Sequence, residues 1–351
     1  MTYISKPRVG HPALQRNELG LRQRDYEGTI STLCAGCGHD SISAALIQTF
    51  FDLNIEPYRV AKTSGIGCSS KTPAYFLSQS HAFNSVHGRM PSVTMGANAA
   101  NSSMIFVGIS GDGDSLSIGM GQFCHAIRRN LNMAYIIENN GVYGLTKGQF
   151  SASADIGSTA KKGEVNNQKP IDAALTAINQ GASYVARGFS GDKQQLVPLL
   201  KGALRHKGFA LVDIISPCVT FNDHQGSTKS YAHTREHFHQ LEQTDFVAPA
   251  EEITASSDGR DLTPVTLHDG SRILLRNVEN GYDPRDQAAA FAYLKNCQLR
   301  GEIPTGLLFI DENSIDFHER NNTIETPLND LAHEDICPGA DALAIMLGRY
   351  R

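Results

Sequence analysis

The sequence predicts an α/β protein built on a doubly wound, mostly parallel sheet with a C-terminal extension. Three observations lead there. From about residue 40 to 220 short β-rich apolar runs alternate with longer helical patterns; small, turn-forming residues follow the runs; and beyond about residue 230 the alternation gives way to a polar, acidic tail. Strands separated by helical stretches of ~10 to 15 residues imply right-handed βαβ units with helices on both faces of the sheet.

The elements follow in order. "HDSISAALIQTFFDL" reads as a helix, "PYRVAKTSG" as a strand and loop, "MIFVGIS" as a strand and "DSLSIGMGQFCHAIRRN" as a helix. "MAYIIEN", "SYVARGF" and "FALVDII" are strands, interleaved with the helices "PIDAALTAINQ" and "DKQQLVPLLKGALRHKG". The tail contains a hairpin pattern with Asp-Gly at its turn, "LTPVTLHDGSRILLR", then the helix "DPRDQAAAFAYLKNCQLRG" and the strand "IPTGLLFIDE". This divides the chain into an N-terminal arm (1–29), an α/β domain (30–229) and an extension (230–351) that packs on the core or on a partner. No low-complexity segment or internal repeat interrupts it.

Composition excludes several classes. With 351 residues, 40% apolar and 19% charged, the chain is that of a soluble globular protein. Its net charge of -5 supplies no basic field for phosphate backbones, which argues against a nucleic-acid partner. No run approaches the ~18 apolar residues of a membrane span, and the N-terminus lacks a signal-like apolar stretch, so the expected location is cytoplasmic, away from membranes. Seven scattered cysteines in such a chain point to metal, redox or buried thiols and not to a disulfide framework.

In open parallel sheets, ligands bind outside the carboxyl ends of the strands. The loops expected there are "SGIGCSS" with Cys68, "GDGD" with Asp112 and Asp114, "NNGVYGLT" with Asn140, and "SPC" with Cys218; "CAGCGH", opening the first helix, can reach the same edge. "ISGDGDS" sets glycines on both sides of Asp112 where a strand turns into a helix, so the backbone can approach a phosphate while the helix N-terminus offers amides. Two carboxylates would repel that phosphate unless a divalent cation lay between them. Magnesium takes oxygen ligands in an octahedron and keeps phosphate oxygens and water, so Asp112, the Asn140 amide oxygen and the Val142 carbonyl make a reasonable protein share. A lone Gly-Asp-Gly is more often a plain turn; the asparagine pair at the end of the next strand changes that balance.

Cys34 and Cys37 alone leave zinc, thiol exchange or an iron-sulfur centre open. A zinc ribbon needs a second CxxC, which the chain lacks. A thioredoxin-like pair fits the helix start but leaves Cys68 and Cys218 unused. A 4Fe-4S cluster takes four thiolates, and Cys34, Cys37, Cys68 and Cys218 are the four on the expected edge. Cys124, Cys297 and Cys337 read as structural or incidental thiols, and His39 is a weaker rival ligand.

Taken together, "CAGCGH", "GIGCS", "SVHGR", "GDGD", "NNGVYGLTKGQ" and "SPC" resemble, in order and over roughly residues 30–225, the thiamine-diphosphate-binding β subunit of 2-oxoacid:ferredoxin oxidoreductases. The acidic extension is most like the 2-oxoglutarate type. The resemblance implies a thiamine-diphosphate-binding fold, its diphosphate-side domain, holding magnesium through Asp112, Asn140 and Val142. It implies that Ile66, Gly67, Cys68, Ser69, Gly113, Asp114, Gly144, Leu145 and Thr146 line the cofactor and that Cys34, Cys37, Cys68 and Cys218 hold one 4Fe-4S cluster. His87 would lie at the cofactor and help proton transfer, and Lys147 would face the substrate carboxylate or coenzyme A. The implied reaction is oxidative decarboxylation of a 2-oxoacid, with coenzyme A taking the acyl group and ferredoxin the electrons. No domain here carries the glutamate that activates the cofactor's pyrimidine ring. A separate α subunit is therefore expected, two of each chain, with this chain inactive alone. The other readings are a different 2-oxoacid such as pyruvate, a non-catalytic iron-sulfur subunit, and a magnesium-dependent phosphohydrolase that leaves four cysteines unexplained.

Overall fold

The structure, a computed structural model, describes residues 13–160, 162–247, 262–277 and 282–350. The α/β region runs α1 (Gly38–Asp52), β1 (Val60–Ser64), β2 (His81–Asn84), α2 (Met90–Ala100), β3 (Ile105–Gly111), α3 (Met120–Arg128) and β4 (Met133–Asn139). A small hairpin follows, β5 (Val142–Tyr143) with β6 (Gln149–Phe150), then α4 (Ala173–Asn179), β7 (Tyr184–Phe189), α5 (Lys193–Arg205) and β8 (Phe209–Ile215). The remainder holds α6 (Tyr231–His237), β9 (Phe238–Gln240), β10 (Glu242–Val247), β11 (Leu262–Thr266), β12 (Arg272–Asn277), α7 (Gln287–Arg300), β13 (Ile303–Ile310), α8 (Phe317–Asn321), α9 (His333–Ile336) and α10 (Gly339–Gly348).

The main sheet has the order β2-β1-β3-β4-β8-β7-β13-β9. Strands from β2 through β7 pair in parallel, β13 runs antiparallel to β7, and β9 is parallel to β13. Buried on both faces, β4 and β8 need apolar side chains at successive positions. Ile136 and Val212 accordingly enter one core cluster while Ile137 and Leu211 enter the other. In α1, Ile42, Ala45, Leu46, Thr49 and Phe50 are all buried, the i, i+3, i+4, i+7 stripe that lays a helix on a sheet. Asp172, Asp192 and Asp286 each accept a backbone N–H three residues on and so cap α4, α5 and α7.

Three differences from the sequence reading matter. First, β2 and α2 intervene between the first two expected strands; "HAFN" is an exposed edge strand without alternation, and α2 is rich in small residues, so neither gives a clear period. Second, the helix expected from Asp114 breaks into a π-helical turn (Gly113–Ile118) and α3, because Gly119 passes the Gly88 backbone so closely that a Cβ there would sit 2.8 Å from Gly88 Cα. Third, the chain beyond 230 contributes to the sheet itself through β13 and β9, with α7 packed on α4 and β13. The expected hairpin is present as β11 and β12, joined through Asp269-Gly270, and Val265 and Leu267 enter the α5-side core. Of the N-terminal arm, residues 1–12 lie outside the described residues; the rest docks on the domain, with Tyr26 fully buried and its carbonyl accepting the Leu77 N–H. Among the described residues no helix is long and apolar enough to cross a membrane.

Candidate active site

The parallel strands deliver their loops to one edge, where a cavity of about 200 Å³ opens. The loop after β1 lines it with Ile66, Gly67, Cys68 and Ser69, and the turn after β3 with Asp112, Gly113 and Asp114. The segment after β4 adds Asn140, Val142, Gly144, Leu145 and Thr146, and His87 reaches it from the loop before α2. Lys147 stands outside this lining, exposed, at φ 80°, a left-handed backbone that a residue with a Cβ rarely adopts.

Asp112 is buried, and its two oxygens are used unequally. Oδ2 accepts from the hydroxyls of Ser151 and Ser153 and from Gly141 N at 3.1 Å, whereas Oδ1 receives only Asn140 N at 3.4 Å. Burial raises the Asp112 pKa while the two serine hydroxyls oppose that rise. A cation at Oδ1 would favour the ionised form further. Asn140 Oδ1 accepts the Val142 N–H at 3.0 Å and keeps a second lone pair. A Cβ at Gly113 would fall 2.4 Å from the Tyr143 ring and one at Gly111 3.0 Å from Ser69 Oγ, so bare backbone is what leaves this space open. Anionic oxygen, amide oxygen and glycine backbone around one hollow fit a magnesium diphosphate.

Asp114 has another task. Its Oδ1 accepts Gly88 N at 2.8 Å and its Oδ2 accepts Ser110 Oγ at 2.7 Å, so the carboxylate ties the His87 loop to β3. The repulsion expected between this group and a phosphate is reduced because both oxygens are already engaged.

Of the four edge cysteines, Cys68 lines the same cavity. Cys37 precedes α1, whose first N–H, on Gly38, donates to Pro217 O at 3.3 Å and docks the CxxC loop against Cys218. A Cβ built on Gly144 would lie 3.4 Å from Cys68 Sγ and 3.7 Å from Cys218 Sγ. Burial pushes the Cys37 thiol up to about 12, with Glu138 and Cys218 adding to it, and burial also raises Cys68, with Cys218 and Cys34 contributing. This rise, chiefly from burial, disfavours bare thiolates and is what bound iron would reverse. Among the described residues no three His, Cys, Asp or Glu side chains converge as the ligands of a single ion do. Cys297 is buried, Cys337 lies in the exposed tail and Cys124 sits in α3, all apart from this edge.

Several residues went unread in the sequence. Ser151 and Ser153 follow β6 and have no motif of their own. Glu138, in β4, is fully buried and accepts from Thr72 Oγ1 at 3.1 Å, while its Oε1 has no partner among the described residues; burial raises its pKa well above the usual carboxylate value. His39 lies with Nδ1 2.6 Å from Ser216 Oγ and 3.4 Å from Glu138 Oε2, and burial lowers it to about 4. Its Nδ1 is thus engaged with Ser216 and Glu138 on the floor of the cavity. The β4 apolar run carries Glu138 as an acidic interruption, the only signal available.

A family model for the C-terminal TPP-binding domain of thiamine pyrophosphate enzymes matches residues 65–214. The chain is 38% identical over 206 residues to a 2-oxoacid:ferredoxin oxidoreductase subunit beta of Saccharolobus solfataricus, spanning 58% of this chain and 65% of that one. It is 36% identical over 191 residues to the 2-oxoglutarate synthase subunit KorB of Methanocaldococcus jannaschii, spanning 54% and 69%. A solved 2-oxoglutarate:ferredoxin oxidoreductase from Magnetococcus marinus, with 2-oxoglutarate, coenzyme A and succinyl-CoA bound, superposes with a TM-score of 0.72 at 28% identity over 93% of this chain and 97% of that one. The fold is that of a thiamine pyrophosphate enzyme's C-terminal TPP-binding domain. The chain belongs to the β subunits of the 2-oxoacid:ferredoxin oxidoreductases, although its match spans just under two thirds of the first of these relatives.

Proposed function

We propose that this chain is the β subunit of a cytoplasmic 2-oxoglutarate:ferredoxin oxidoreductase that works with an α subunit, two of each, to convert 2-oxoacid, coenzyme A and oxidised ferredoxin into acyl-CoA, carbon dioxide and reduced ferredoxin. The observation that carries this is the position of Gly144, which lines the cavity with Asp112 and Asn140 and touches the space beside Cys68 and Cys218 on its other side. Thiamine diphosphate, when bound, supplies a carbanion for the 2-oxo carbon and a sink for the electron pair that carbon dioxide leaves behind.

The chain's own residues do the rest. Asp112, Asn140 and the Val142 carbonyl hold the magnesium, with Gly113, Ile66, Gly67 and Ser69 closing on the cofactor. Cys34, Cys37, Cys68 and Cys218 would hold one 4Fe-4S cluster, which would supply a one-electron acceptor. His87 is exposed at the cavity rim, where a covering subunit would enclose it and use it in proton transfer. Lys147, exposed on the turn after β5, offers its ammonium to the substrate carboxylate or coenzyme A. The pyrimidine-side glutamate comes from the α subunit.

The test is anaerobic purification of the chain with its α partner, followed by viologen or ferredoxin reduction with a panel of 2-oxoacids. The reading expects coenzyme A-dependent reduction with 2-oxoglutarate foremost, and none from the isolated chain. Full activity without the partner would refute the division of labour, and a cluster-bearing complex that binds no thiamine diphosphate would favour a purely electron-transferring subunit.

A further inference from the structure

Ser151 and Ser153 belong to no motif that names the cradle, yet both point their hydroxyls at the same atom. We infer that they are positioning residues that occupy Asp112 Oδ2 and so leave Oδ1 as the oxygen that faces the metal. The inference rests on the magnesium diphosphate reading above.

A carboxylate free to turn about its last bond presents either oxygen, or both, to a cation. Here three donors hold Oδ2: Ser151 Oγ, Ser153 Oγ at 2.5 Å and Gly141 N at 3.1 Å. Each hydroxyl has one proton to give. Ser153 has a second acceptor within reach, Asn139 Oδ1 at 2.9 Å, but a carboxylate draws the proton more strongly than an amide oxygen does. The orientation of that amide is itself fixed, since Asn139 Nδ2 donates to Asp213 Oδ1 at 3.0 Å and Asp213 is held by Arg187. The serines therefore stand against a rigid wall at the end of β4. Ser151 is placed in turn by its own N–H, which donates to Gly141 O at 3.0 Å.

Neutral donors suit this position. A lysine or arginine would orient the carboxylate equally well, but its charge would compete with the cation. The half-buried Lys229, whose charge reaches Asp112, is paired with Asp155 at 3.3 Å.

The experiment uses the complex with the α subunit and equilibrium dialysis of thiamine diphosphate across a magnesium titration, a readout independent of turnover. Ser153→Ala, Ser151→Ala and the double variant are compared with Ser153→Thr, which keeps a hydroxyl. Loss of groups that orient metal ligands costs on the order of 10- to 100-fold in metal affinity. The expected result is a rise of that order in the magnesium concentration at half-saturation for the double variant, a smaller rise for each single variant, restoration by threonine, and unchanged cofactor capacity at saturating magnesium. Variants that unfold at lower temperature while keeping the wild-type magnesium requirement would overturn the inference, leaving the serines as loop-holding groups. A wild-type complex that binds thiamine diphosphate without any magnesium dependence would overturn the reading beneath it as well. Should the double variant fail to fold, the single variants and the threonine rescue decide the matter alone.

Discussion

Arg187 and Asp213 face each other as register partners on β7 and β8, buried, with Nε 3.0 Å from Oδ2. The other arm of the guanidinium, Nη2, reaches Asp172 at 2.6 Å, where Asp172 also caps α4. One cation thus balances two carboxylates inside the sheet layer and stands behind the wall that supports Asn139.

Removing that cation leaves two buried or half-buried carboxylates without their ion-pair partner, Asp213 keeping Asn139 Nδ2 and Asp172 the Leu175 N–H. Arg187→Met is expected to lower stability by about 3 to 5 kcal/mol, the usual cost of breaking a buried pair from one side. Denaturant midpoints measure this directly. A loss below about 1 kcal/mol, the range of a surface pair, would mean water already screens the site.

His206 carries a pH dependence of known sign. Its Nε2 lies 2.7 Å from Ser183 Oγ, and burial, reinforced by His268, lowers it to about 3. The unfolded chain takes up this proton near pH 6.5 while the folded chain does not until about 3. Stability is therefore present above pH 6.5 and is lost as pH falls through that window, by at most about 1.4 kcal/mol per pH unit from this one proton. His206→Gln should show a shallower acid loss between pH 6.5 and 4 in urea titrations; an identical slope would place the proton elsewhere.

Gly113 tests the need for bare backbone. A methyl group there would meet the Tyr143 ring at 2.4 Å, and Tyr143 OH donates to Gly113 O at 3.3 Å. Gly113→Ala should displace the ring into the cavity and weaken thiamine diphosphate uptake by roughly tenfold or more, an overpacking cost of ~1 to 3 kcal/mol. Calorimetric titration of the complex gives the affinity, and wild-type binding in the variant would argue that the cofactor lies away from this turn.

The cysteines separate into two sets that iron analysis can tell apart. Cys37→Ser, and likewise Cys218→Ser, should abolish the cluster's visible absorbance after anaerobic reconstitution, whereas Cys124→Ser should keep about four irons per chain. Full iron in Cys218→Ser would break the assignment.

Much of this was legible in the linear chain because parallel strands have a local signature. Apolar runs such as "MAYIIEN" and "FALVDII" are buried on both faces and announce themselves, and once strands are parallel, the loops after them must share an edge. That alone brought Cys68, Asp112, Asn140 and the Cys218 loop together. Where period was weak, as in "HAFN" or the small-residue helix α2, nothing local distinguished an element from a loop.

What the sequence by itself determined, then, is the sheet, its family and the identity of the chemical groups, since these depend on spacing and residue type. Only the tertiary structure decided which oxygen of Asp112 carries three hydrogen bonds and which carries one long one, that Asp114 is spent on Gly88 and Ser110, that His39 is locked to Ser216, and that β13 closes against β7. Apart from the local Ser110–Asp114 bond, those are contacts between positions far apart in the chain. Their geometry follows from how the two faces of the sheet fill with side chains, and no short window of sequence contains it.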